Sequence, residues 1–69
     1  MQKYIVIDNI KFILFDITIS HSVIGEGKNV TSAGFVENGV CTGRSDSLNI
    51  NSKESDNLLL KCFLKSTFS

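Results

Sequence analysis

The sequence predicts an α+β domain: an antiparallel sheet of four to five short strands, arranged as two β-hairpins, with one C-terminal α-helix packed on it. Three observations carry that expectation. The runs "KYIVI" and "IKFILF" are rich in β-branched and aromatic residues and flank Asp8 and Asn9. "GFVE" and "VCTG" flank Asn38 and Gly39, the dipeptide that most strongly marks a tight hairpin. The segment "NSKESDNLLLKCFLK" begins with polar capping residues and ends in lysines, as a helix does.

In chain order, the first hairpin comes from Asp8 and Asn9, which tolerate the left-handed backbone a two-residue loop needs. With those two residues as the loop, Ile7 faces Ile10 and Ile5 faces Phe12. Ile5, Ile7, Ile10, Phe12 and Leu14 then share one apolar face, and Tyr4, Val6, Lys11, Ile13 and Phe15 share the other. The second face is also mostly apolar, so it is expected to meet a helix of the same chain or a second chain. In "DITISHSVIGEGKN", Ser20 suits the cap of one short helical turn ending at Gly25, and "GEGKN" reads as a loop. In the second hairpin Glu37 faces Val40, Val36 faces Cys41, Phe35 faces Thr42, and Gly34 falls opposite Gly43. Two facing glycines leave bare backbone, to be filled by a helix side chain or approached by a ligand. "SLNI" suggests a fifth short strand. In the helix, Asn51 and Glu54 have the spacing of a capping box. Glu54, Asn57, Lys61 and Lys65 form a narrow polar face, while Leu58, Leu59, Leu60, Cys62, Phe63 and Leu64 spread over most of the rest. That apolar arc is wider than one sheet contact requires.

Sixty-nine residues make one domain, residues 1–69. A chain of this size buries only about 60% of its unfolded surface, so small domains commonly recruit a staple. Two cysteines allow at most one disulfide. The opening "MQKYIVIDNIKFILF" is interrupted by Asp8 and Lys11, so neither a signal peptide nor a spanning segment is expected. This predicts a cytoplasmic protein with free thiols and no membrane partner. One histidine and two scattered cysteines lack metal-ligand spacing. Oligomerisation is the remaining staple. Seven basic and seven acidic residues are dispersed along the chain, without the basic stripe that phosphate-backbone binding demands, and this disfavours nucleic acid as a partner.

The candidate chemistry is sparse. "GEGKN" lacks both ends of a phosphate-binding loop, having Ser22 at the first glycine position and Asn29 where a hydroxyl residue belongs. "NVT" matches a glycosylation acceptor, a motif with meaning only in a secreted protein. His21 could serve as a general base with Cys41 as a nucleophile, although a cysteine in a strand or apolar helix is usually core. Gly34, Gly43, Arg44, Ser45 and Ser47 could hold an anion through backbone amides, a guanidinium and hydroxyls; ordinary turn chemistry explains the same residues.

From "GRSDSLNINSKESD" into "LLL" the chain resembles small bacterial proteins of no assigned function. Asn49 stands where that group carries glycine, and Lys53 with Glu54 where it carries Arg-Pro. The resemblance implies a bacterial, cytosolic origin. The expectation is therefore a non-enzymatic protein without cofactor, acting through a homodimer and through a larger protein partner. Tyr4, Val6, Ile13, Phe15, Leu60 and Leu64 are its interface candidates. An anion-binding module and a His21–Cys41 thiol enzyme are the alternatives.

Overall fold

The structure, a computed structural model, describes residues 1–68, with side chains described through Ser66. Six strands and two helices follow one another as β1 (Gln2–Ile7), β2 (Lys11–Phe15), α1 (His21–Gly25), β3 (Val30–Glu37), β4 (Val40–Thr42), β5 (Arg44–Ser45), β6 (Ile50–Asn51) and α2 (Asp56–Phe68). The first four strands form an antiparallel sheet in the order β2-β1-β3-β4, and β5 pairs with β6 in a separate two-stranded ribbon. This is the α+β architecture the sequence predicts.

The first hairpin is one residue longer in its loop than expected. Asp8 and Asn9 do adopt left-handed backbone, at φ of 53° and 61°. Ile10 joins them, its amide donating to the Ile7 carbonyl at 3.1 Å, and pairing starts at Ile7 with Lys11. Since side chains alternate between faces, a one-residue slip exchanges the faces of the whole strand. Tyr4 and Val6 therefore share a face with Phe12 and Leu14, whereas Ile5 and Ile7 share the other with Ile13 and Phe15. Ile10, expected in the core, is 77% exposed at the hairpin tip.

Both faces of the sheet are covered from within the chain. On one, Tyr4, Val6, Phe12, Cys41 and Leu60 form a buried cluster with Leu14, Val36, Leu59 and Phe63 packed against it, which is the bed of α2. On the other, Ile5, Ile7, Phe15 and Ala33 are roofed by Ile24 of α1 and by Leu48 and Ile50 around the β5–β6 ribbon. The covering that the second face calls for is thus supplied without a second chain. As a correction to the interface candidates, Tyr4, Val6, Phe15 and Leu60 are buried in these two cores and present no area to a partner. Ile13 is half-buried on the outer strand, and Leu64 lies on an exposed flank of α2.

Two further elements differ from expectation. "SLNI" contributes only Ile50 to a strand; Ser47, Leu48 and Asn49 belong to the turn, where Asn49 has a φ of 56°. The helix begins at Asp56 rather than after Asn51, because Asn51 is paired with Arg44 in the ribbon. The capping contact moves with it: the Lys53 amide donates to the Asp56 carboxylate at 2.9 Å. Between the hairpins, α1 forms as expected, with the Ser20 hydroxyl accepting the Ser22 amide at its start.

Candidate interaction surface

The chemistry-bearing side chains divide between the two faces of the sheet. On the α2 side a polar network sits inside the apolar cluster. Asp56, 1% exposed, accepts the Tyr4 hydroxyl at 2.5 Å on one oxygen and the Ser32 hydroxyl at 2.8 Å on the other. With the Lys53 amide this gives the carboxylate three donors, the condition under which a buried charge is tolerated. The surroundings act on their neighbours. Burial first, then the hydrogen bond to Asp56 and its charge, push the Tyr4 hydroxyl far above its ordinary range. Burial, with the Asp56 charge second, pushes the Cys41 thiol up to about 11, and a hydrogen bond with Tyr4 partly opposes this. Such a thiol is protonated at neutral pH and is a poor nucleophile.

His21 lies on the opposite side. Its Nε2 donates to the Gly34 carbonyl at 2.8 Å, which assigns the proton to Nε2, and its ring meets Phe15 and Phe35 edge-on at 5.5 Å. The sheet separates it from Cys41. The pair that a thiol enzyme would need is not brought together; His21 instead clamps α1 to the centre of the sheet.

The Gly34 and Gly43 region is closed by backbone, and α2 plays no part in it. A Cβ on Gly34 would stand 2.5 Å from the Thr42 carbonyl oxygen and 3.2 Å from Ser52 Cβ. The Ser52 amide donates to the Gly43 carbonyl at 3.0 Å, drawing the segment that leads into α2 over the gap. Gly34 is accordingly buried, and Gly43 turns the chain at a φ of 78°. Among the other anion candidates, Arg44 donates to Asn49 and pairs with Asp46 at 3.4 Å. Ser45 is fully buried, its hydroxyl accepting the Leu48 amide at 3.2 Å, and Ser47 sits on the exposed turn. The loop spends its polar groups on its own fold.

What remains open is an apolar groove of about 410 Å³ between the tip of the first hairpin and α2, lined by Ile10, Lys11, Phe12, Leu59, Cys62 and Phe63, with Ser66 at its end. Helical spacing sets Leu58, 66% exposed, beside Cys62 on the same side of α2, and Leu64 on the opposite flank. Sequence reasoning identified the excess apolar arc of the helix. It missed Ile10, because a two-residue loop hides that residue in a strand. Among the described residues no three or more His, Cys, Asp or Glu gather as a metal site, and no helix is long and apolar enough to cross a membrane. The chain matches no protein family, no curated protein and no solved structure.

Proposed function

We propose that this chain is a non-catalytic cytosolic interaction protein that associates with a second copy of itself and offers the assembled pair to a larger protein. The groove between the first hairpin and α2 carries the reading. Ile10 at a hairpin tip and Leu59, Cys62 and Phe63 on a helix line an apolar groove beside an otherwise closed core, and Leu58 stands exposed on the same helix. Contiguous exposed apolar surface of this kind marks contact sites in small domains. The balanced charge favours the same reading, since seven acidic and seven basic residues impose little net repulsion between copies. Two unpaired cysteines, one of them exposed, suit a reducing compartment, and with the resemblance noted above they support a bacterial cytosol.

Light scattering during gel filtration tests the proposal. A dimer is expected at high micromolar concentration, and Ile10→Asp, at a position outside the core, is expected to return a monomer with its thermal transition little changed. A wild-type monomer under those conditions removes the reading.

A further inference from the structure

The chain carries six asparagines, Asn9, Asn29, Asn38, Asn49, Asn51 and Asn57. The side-chain carbonyl carbon of an asparagine is open to attack by the backbone nitrogen of the residue that follows it. Ring closure needs that nitrogen unhindered and not hydrogen-bonded. A β-branched neighbour crowds it, and an existing bond to a carbonyl must first be given up.

Five of the six are guarded in one of these ways. The amide after Asn9, of Ile10, donates to the Ile7 carbonyl at 3.1 Å; those of Val30, Ser52 and Leu58 donate to Lys28 at 3.1 Å, Gly43 at 3.0 Å and Ser55 at 3.1 Å. Ile50, after Asn49, is β-branched and paired with Ser45 in the ribbon. Four carboxamides are held as well: Asn9 by Lys53, Asn29 by Asp8, Asn49 by Arg44 and Asn57 by the Cys41 amide. Asn38 stands apart. Its successor is Gly39, and the ladder closes at Glu37 with Val40, so the Gly39 amide lies outside it. Among the described residues that amide donates to no backbone carbonyl. Asn38 and Gly39 are both exposed, and nothing lies within 4 Å of where a Cβ on Gly39 would stand.

We infer that Asn38 is a site of spontaneous modification, at which the exposed turn converts its asparagine in water to an aspartyl or isoaspartyl residue. The Gly39 nitrogen forms a bond to Asn38 Cγ and the bond from Cγ to Nδ2 breaks. The amide leaves as ammonia, taking the Gly39 proton. Water then opens the cyclic imide: addition at the side-chain carbonyl gives aspartate, and addition at the main-chain carbonyl gives isoaspartate, with an extra carbon in the main chain. Either product adds a negative charge to a chain whose formal net charge is zero. The isoaspartyl product also lengthens a two-residue turn. β4, only three residues long, meets α2 through the Cys41 amide, which donates to Asn57 at 2.8 Å, and the altered turn loosens that contact. The inference is independent of self-association.

Isoelectric focusing and peptide mapping of the full chain, incubated at mildly alkaline pH either folded or in urea, test it. The folded chain is expected to gain negative charge, with more product at Asn38 than at the other five asparagines together. Product at Asn51, whose successor Ser52 is small, is expected only in urea, where the Ser52 amide is released. Asn38→Gly suits the left-handed backbone of the turn and is expected to abolish the charge gain. In the isoaspartyl form the Cys41 amide is expected to exchange with deuterium faster than in the fresh protein. No product at Asn38 in the folded chain, or product spread evenly over the asparagines, overturns the assignment. Unchanged exchange at Cys41 overturns the link to α2.

Discussion

The two faces of the central sheet are held by different means. The α2 face carries a carboxylate in its core, with Asp56 fixed by Tyr4, Ser32 and the Lys53 amide. The opposite face is covered by a single turn of helix and a two-stranded ribbon, and its buried polar side chains hold backbone groups: His21 donates to the Gly34 carbonyl and Ser45, in the ribbon, accepts the Leu48 amide. Apolar contact alone fixes a helix weakly in azimuth, because one greasy stripe slides over another at small cost. A carboxylate with three directional donors does not slide. The difference accounts for how a helix apolar around most of its circumference settles with Leu60 inside and Leu58 outside.

Asp56→Ala is the severest break of that contrast. It strands two buried hydroxyls, and at about 1–3 kcal/mol for each unsatisfied group the loss should approach about 3–5 kcal/mol in urea denaturation. Should the variant fail to fold, Asp56→Asn keeps the shape and is expected to lose about 1.5–3 kcal/mol, the value of hydrogen bonds to a charged group. A loss below about 0.5 kcal/mol in either variant, the scale of an ordinary surface change, would show that the network does not anchor α2.

The alkaline limb sharpens the same contrast. Cys41 and Tyr4 both have their ionisation pushed upward in the folded state, so the folded chain retains protons that the unfolded chain gives up. The Cys41 contribution is fully present below the ordinary thiol value of 9.0 and is lost as pH rises through the folded value of about 11, while that of Tyr4 begins to be lost only above its ordinary value of 10.0. The melting temperature should therefore fall between pH 9 and 11, and Cys41→Val should flatten the first part of that fall. An unchanged slope in the variant would assign the loss to Tyr4 alone.

His21→Phe is the smallest of the three. It keeps a ring between Phe15 and Phe35 and strands one buried acceptor, the Gly34 carbonyl, at about 1–3 kcal/mol, against two hydroxyls stranded by Asp56→Ala. The expected penalty is well below that of Asp56→Ala in the same denaturation experiment. Equal penalties would mean that the two faces are not held differently after all.

Local chemistry made much of this fold legible. Asn38 and Gly39 specify a two-residue turn, and the register of Phe35, Val36 and Glu37 with Thr42, Cys41 and Val40 follows without further information. Ser20 likewise announces α1. Asp8 and Asn9 are a weaker signal, since left-handed residues serve loops of two and three residues alike, and Ile10 looks like a strand residue in either case. The start of α2 was obscured for another reason: Asn51 has the chemistry of a cap but is claimed by the ribbon. As for the interaction surface, the wide apolar arc of α2 could be read from helical spacing, whereas which of its leucines faces outward depends on Asp56 meeting residues 24 and 52 positions away. No local pattern encodes a contact at that separation.

That separation also bears on how the chain is made. β1, the second strand in spatial order, receives its hydrogen bonds from β2 at once but from β3 only after residue 30, and Tyr4 finds its carboxylate only when residue 56 has been added. Until β3 and residue 56 have been made, the first hairpin therefore has one edge and one apolar face uncovered, because the contacts that close them are distant in sequence. A chain cut off before residue 56 would leave that face of the sheet without its helix, which makes it a ready substrate for proteolysis.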